Sequence, residues 1–410
     1  MREVFGVNAV WLVGVAAATA AVEAPAAAQE ESEGIVGAIA GGSPILDLRL
    51  RYAGIDQVGF AEDASALTLR TKAGWQTAPF RGFTGLIEFE DVRAIVEDYN
   101  STQNGKGTFP VEADPEVTEL NRAQIAWTNG DGLSATGGRQ RIIFDNARFV
   151  GNVGWRQDEQ TFDAVRGGYS AGNFSASYAY VWGVERIFAE AADFESDSHL
   201  LNASYTVSDA VKLGGFAYAL DFEEAPGLST ATYGASISGA VPVADFNLNY
   251  SATLATQSDY GDNPADIDLG YGAANLSVAH GPFSLGGGYE VLEGDGANGF
   301  ATPLATLHAF QGWADVFLNT PASGIEDTSV TARFAPDWSG GAVSNPALLV
   351  IWHDFSAEQG GGDLGSEIDV QLTARFTPNV TGVVKFADYD GPTFGPADRT
   401  KVWVGLQFTL

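Results

Sequence analysis

The 410-residue chain contains no cysteine, and its single methionine is residue 1. Disulfides, thiolate metal sites and cysteine nucleophiles are therefore excluded. A chain that must cross an oxidising periplasm unfolded also has no stray thiol to mispair. Basic residues are scarce, with 21 Lys and Arg against 52 Asp and Glu and a formal net charge of −31. That balance excludes nucleic acid as a partner. Histidine is scarcer still, and His199, His280, His308 and His353 show neither i,i+4 spacing nor an HExxH pattern, which argues against a zinc hydrolase. Gly286–Gly288 and Gly360–Gly362 lack a following Lys-Ser and read as turns or bulges, not phosphate cradles. No Ser/His/Asp grouping emerges, so the chain is not read as an enzyme. Beyond residue 28 no apolar stretch approaches the roughly 20 residues a membrane helix needs. Any passage through a membrane must be made by strands.

The first residues are of another kind. Met1-Arg2, the apolar run Val7–Val22 and Ala26-Ala27-Ala28 before Gln29 form the pattern of a cleaved secretory signal, placed at residues 1–28. Residues 29–410 contain no linker or compositional break, which favours one large closed sheet.

Within that span, short segments alternate with period two. In Ile45–Tyr52, Leu46, Leu48, Leu50 and Tyr52 oppose Asp47, Arg49 and Arg51. Leu67, Leu69 and Trp75 oppose Arg70 and Lys72, and Ile87 and Phe89 oppose Glu88 and Glu90. Strands of this kind lie between hydrocarbon and water, and their inner charges would form a ladder of opposite sign across neighbours. Phe246, Leu248, Tyr250, Ala252 and Leu254 alternate with Asn247, Asn249, Ser251 and Thr253, which predicts a hydrated, uncharged inner face. Aromatics at strand ends read as interface girdles.

The connections alternate as well. Short ones such as Asn129–Gly132, Ser170–Asn173 and His280–Pro282 follow long ones such as Val92–Glu119, Ile143–Thr161 and Ala255–Asp266. A simple count gives nineteen strands, which cannot return both ends of the chain to one side. Parity fails around His308–Leu318, so that segment belongs inside one long loop from Glu293 to about Glu326. The predicted fold is therefore all-β: a transmembrane antiparallel up-and-down barrel of about 18 strands, with short periplasmic turns and long extracellular loops.

Several of the cations cluster. Arg139, Arg141, Arg148, Arg156 and Arg166 fall in or beside Gly138–Ala164, GRQRIIFDNARFVGNVGWRQDEQTFDA, with Arg122 on the preceding strand. A dry core does not hold that many guanidinium groups without partners, whereas a water-filled channel wall does. Together with Arg49, Arg51, Arg70 and Lys72 they are the candidate pore-lining, anion-selecting set. The bland reading is that they pair with Asp145, Asp158, Glu159 and Asp163 and pin the loop. Strict alternation puts Arg139 and Arg141 in register with Leu133 and Ala135, so a bulge at Gly137-Gly138 is expected to turn them inward.

The same stretch resembles the signature of the alginate-export family of outer-membrane porins. Weaker similarity runs through Gln311–Asp327, which includes Gly-Trp-Ala-Asp, then Trp352–Glu367 and Lys385–Phe408. Val316 stands where that family has Lys, and the chain ends in Leu410 instead of the usual Phe. The resemblance implies a bacterial outer-membrane channel that exports an acidic polysaccharide such as alginate, or admits small solutes. It implies loop-anchoring roles for Asp145, Asn146, Asn152, Asp163, Trp313 and Asp315, with the second motif capping the pore.

The expected function is passive passage of anionic or saccharide solutes through an Arg-lined lumen. The alternatives are a general nutrient-uptake porin and an adhesin or enzyme barrel. Expected partners are outer-membrane lipids, lipopolysaccharide, anionic or neutral saccharides and the outer-membrane assembly machinery. Asp259, Asp262, Asp266 and Asp268 crowd one outer loop and are the candidate Ca²⁺ ligands; no other cofactor is expected.

Overall fold

The computed structural model describes residues 34–410, so the expected signal at residues 1–28 lies outside the described residues. A short helix, α1 (Gly34–Ala40), leads into the sheet. The strands then follow as β1 (Ser43–Gln57), β2 (Ala64–Gln76), β3 (Phe83–Asp98), β4 (Val117–Thr128), β5 (Leu133–Gln140), β6 (Thr161–Ala171) and β7 (Phe174–Glu185). Next come β8 (Phe194–Ser208), β9 (Val211–Leu220), β10 (Thr230–Val243), β11 (Phe246–Asp259), β12 (Asp268–His280), β13 (Phe283–Leu292) and β14 (Ile325–Phe334). Val343–Ser356, Asp363–Thr377, Val380–Asp390 and Arg399–Thr409 complete the ring.

Each strand pairs antiparallel with its sequence neighbours, and Arg399–Thr409 pairs back onto β1 from Asp47↔Thr409 to Gln57↔Arg399. The sheet is thereby a closed 18-strand barrel; the two-residue strand Ser339–Gly340 only folds back on Val343–Ser356 within a turn. Closure removes every unpaired edge, as hydrocarbon demands. The parity argument holds at the long loop: no strand lies between Leu292 and Ile325.

The strands are longer than the alternation alone suggested. β3 has 16 residues where Phe83–Phe89 was expected, and β1 runs to Gln57. About 9–11 residues suffice to cross the bilayer. The remainder rises above it, where both faces meet water or loop and strict alternation is no longer required.

Outward side chains make a continuous apolar belt, including Ile87, Phe89, Ile125, Leu201, Leu254, Leu276, Leu285 and Leu406, all exposed. Aromatic pairs mark its lower rim beside the short turns. Phe83 and Trp127 have ring centroids 6.4 Å apart, and Phe283 and Phe334 4.8 Å. Trp182, Tyr233, Tyr289 and Trp352 mark the upper rim. Such girdles place the barrel against a membrane interface on both sides.

The interior is divided. Buried apolar residues at the outer ends of the strands, among them Ile55, Phe162, Phe216, Phe355 and Trp403, pack against residues of the two long loops, including Phe144, Val150, Phe300, Leu304 and Trp313. These loops therefore fold into the barrel mouth and do not stand in solvent.

Candidate functional site

The chain between Gln140 and Thr161 turns inward where β5 stops. Gln140 is buried, and its side-chain amide donates to the Ala164 carbonyl at 2.9 Å. Left-handed backbone at Asp145, Ala147 and Val153 then folds the loop tightly. Phe144 N–H donates to the Val150 carbonyl at 3.1 Å, and Gln160 Nε2 donates to the Gly151 carbonyl at 2.9 Å.

The wall carries the cations that hold this loop. Arg49 Nε donates to Gln157 Oε1 at 2.8 Å and Nη1 to the Gly154 carbonyl at 2.9 Å. Arg51 binds the Trp155 carbonyl and Asp114, and its guanidinium lies 4.8 Å from the Trp155 ring centroid. Lys72 Nζ is 2.9 Å from Glu90 and 2.7 Å from Glu159. Arg122 pairs with Glu88 through two bonds of 2.9 and 2.8 Å. A bulge makes Asn121 and Arg122 face inward in succession, and Asn121 Nδ2 donates to both Glu88 and Glu159. Burial alone would raise the Glu159 carboxyl, but Arg141 and Lys72 beside it hold it well below the ordinary carboxylate range.

The second loop, residues 293–324, is tied to the first. Val150 and Leu304 form a short bridge, and Arg148 reaches Glu290 at 2.7 Å, Thr302 at 3.1 Å and Gln311 at 3.1 Å. Asp315 accepts from Arg156, Lys401 and His308, each at 2.7 Å. Burial lowers the His308 pKa well below its usual value, with Asp315 opposing. The neutral ring then donates from Nδ1 to Asp315 and accepts at Nε2 from Lys385, 2.7 Å away. Below this knot, Trp313 N–H donates to Asp369 at 3.2 Å and Ala314 N–H to Glu367 at 2.7 Å.

Several expectations change in consequence. Arg49, Arg51, Arg70, Lys72, Arg122, Arg148 and Arg156 do face the interior, yet all are buried, and of these only Arg148 reaches the wall of the open cavity, where Glu290 pairs with it. The bulge expected at Gly137-Gly138 is absent. β5 pairs with both neighbours without a shift, and the irregularities fall instead at Asn121 and Trp182. Arg139 accordingly keeps the outward register of Leu133 and Ala135. It binds Asp163 through two 2.9 Å bonds and also Glu185, above the belt on the outside of the barrel. Arg141 turns inward because the strand has already ended, and its Nε donates to Glu159 at 2.7 Å. Arg166 keeps the inward register of β6, opposite Thr136.

Of the expected anchors, Asp145 accepts from Asn202 at 2.7 Å, Asn146 from the Arg148 N–H at 3.2 Å, and Asn152 donates to Glu159 at 2.9 Å. Asp163 grips Arg139, not the loop. The Ca²⁺ expectation is corrected too: Asp259, Asp262, Asp266 and Asp268 are exposed and spread along the loop, and no group of three acids or histidines close enough to hold a metal exists among the described residues.

What stays open lies on the other side of the loops. A cavity of about 390 Å³ is walled by β9–β14 and Val343–Ser356. Ser236, Ser238, Asn249, Ser251, Thr253, Asn275, Ser277, Ser329 and Thr331 line it. Asp145, Asp209 and Lys212 bring exposed charge, while Phe149, Phe216 and Phe310 bring ring faces. The sequence pattern points to the Ser/Thr/Asn face of β11 and to inward Glu88, but not to the inward acids Glu112, Asp114 and Glu290 that also pair with the arginines.

No family model and no curated protein matches the chain. Solved structures do. OccAB2 of Acinetobacter baumannii is 15% identical, with a TM-score of 0.71 over 92% of this chain and 100% of that one. OccAB4 of the same organism is 14% identical, TM-score 0.68, over 90% and 98%. The outer membrane protein OpdK of Pseudomonas aeruginosa is 15% identical, TM-score 0.67, over 91% and 100%. The fold is that of a bacterial outer-membrane porin barrel. The alginate-export resemblance finds no counterpart among these comparisons.

Proposed function

We propose that the chain is a passive outer-membrane channel for small hydrophilic solutes, uncharged saccharides foremost. One observation carries this reading: the open half of the lumen is walled mainly by hydroxyl and amide side chains, and the arginines that face inward, Arg148 at its edge included, are paired with carboxylates. Hydroxyls and amides replace the hydration of a sugar without demanding a charge. A space of about 390 Å³ is within the range of small-ligand sites. Anion selection and export of an acidic polysaccharide such as alginate would need guanidinium groups free to meet the solute. Here Arg156 faces Glu112 and Asp315, and Arg148 faces Glu290.

Liposome swelling with monosaccharides and disaccharides, together with reversal potentials across planar bilayers in a salt gradient, tests the proposal. Sugar entry with a weak preference for cations is expected, because Asp145 and Asp209 outnumber Lys212 among the exposed charges that line the cavity. Strong anion preference, or failure of every sugar to enter, would overturn it.

A further inference from the structure

Helix α1 is apolar on the side that faces away from the barrel. Ile35 is 67% exposed, Val36 81% and Ile39 53%. At 100° per residue these three fall within one arc of about 100°, and the helix carries no charged residue. The opposite side is fixed to the protein: Ala38 is buried, and its carbonyl accepts from Ala78 N–H in the turn between β2 and β3 at 2.9 Å. That turn is one of the short ones, so α1 lies at the periplasmic rim.

Its position around that rim is set by Trp75. Trp75 pairs with Pro44 and with the exposed Ile87, which puts its ring on the lipid side of β2. The indole Nε1–H donates to the Ile39 carbonyl at 2.9 Å. Gly42 packs so closely that a Cβ there would sit 2.4 Å from Trp75 Nε1. The helix is thus bonded to a girdle residue, and its apolar arc continues the lipid-facing belt instead of pointing into the lumen.

We propose that α1 is an interfacial anchor whose Ile35, Val36 and Ile39 side chains lie in the periplasm-facing leaflet, seated beside Trp75. An exposed apolar arc next to an indole at headgroup level fits a lipid surface better than a protein groove, because the surface it continues is already covered by lipid. The anchor fixes the chain before β1 and holds the start of β1 against β2 and the closing strand.

The absence of native cysteine permits a direct test. Val36→Cys, Leu254→Cys in the middle of the belt and Phe394→Cys at a fully exposed outer-loop position are each labelled with a nitroxide in phosphatidylcholine vesicles. Their collisions with dissolved oxygen and with a water-soluble nickel chelate are then compared. The Val36 label should favour oxygen and lie about 5–10 Å below the headgroup boundary, between the two references. A Val36 label as open to nickel as that at Phe394 would overturn the proposal. Exclusion of both reagents would overturn it as well, since the arc would then be covered by protein. Ile35→Asp together with Val36→Asp should shift a label at Ala40 toward nickel access, while the Leu254 reference reports that the barrel itself remains inserted.

Discussion

Arg156 and Asp315 are 159 residues apart in sequence and 2.7 Å apart in the barrel. This bond joins the two long loops, and Lys401 and His308 meet the same carboxylate. Asp315→Asn leaves Arg156 and Lys401 buried with less than their charge opposed, a loss of about 3–5 kcal/mol when one side of a buried pair is removed. Thermal unfolding in detergent should occur earlier, and single-channel conductance should rise as the loops leave the mouth. Asp259→Asn, at an exposed position, should change neither.

Asp158 gives the plug a dependence on pH. It is buried, and neither carboxylate oxygen has a hydrogen-bond partner among the described residues. Burial first, then Glu119 and Glu90, push its pKa well above the usual 3.8. The docked loop therefore binds a proton that a released loop gives up, so docking is favoured as pH falls and weakens as pH rises from about 3.8 toward the raised value. Glu159 and Asp315 are shifted the other way, and their contribution is lost only in stronger acid. Gating noise in planar bilayers should increase as pH rises above about 3.8, and Asp158→Asn should flatten that rise.

Ion selectivity should follow exposed lumen charge and not arginine number. Lys212→Gln removes an exposed cation from the open half and should strengthen cation preference in reversal-potential measurements. Arg139→Ala should leave the reversal potential unchanged, because Arg139 pairs with Asp163 and Glu185 on the outer surface.

Much of this arrangement is written locally. The alternation of Leu46–Tyr52 or Phe246–Leu254 specifies which face meets lipid, and the parity of turns alone assigns Glu293 to about Glu326 to one loop, within two residues of where β14 begins. The lumen chemistry is written non-locally. Arg51 reads as a channel cation until Glu112 and Asp114 arrive from a loop some 60 residues later. Acids in Val92–Glu119 look like a solvated outer loop because nothing in their spacing says that they turn inward. A bulge would turn Arg139 into the lumen together with Arg141. The strand instead ends at Gln140, so two residues of equal parity part company without any register shift.

The turn at Gly312 offers a sharp test of how the second loop is seated. Its φ is +81°, and a Cβ there would lie 2.3 Å from Glu367 Oε2, the carboxylate that receives the Ala314 N–H through its other oxygen. Gly312→Ala therefore combines left-handed strain, of order 1–3 kcal/mol, with a clash against the group that anchors the turn. Gly361 has φ +62° with nothing within 4 Å of its would-be Cβ, so Gly361→Ala carries the strain alone. Limited proteolysis of the folded barrel should cleave residues 293–324 faster in Gly312→Ala than in Gly361→Ala, with a matching rise in conductance only in the first. Equal behaviour of the two variants would mean that the Glu367 contact does not hold the loop.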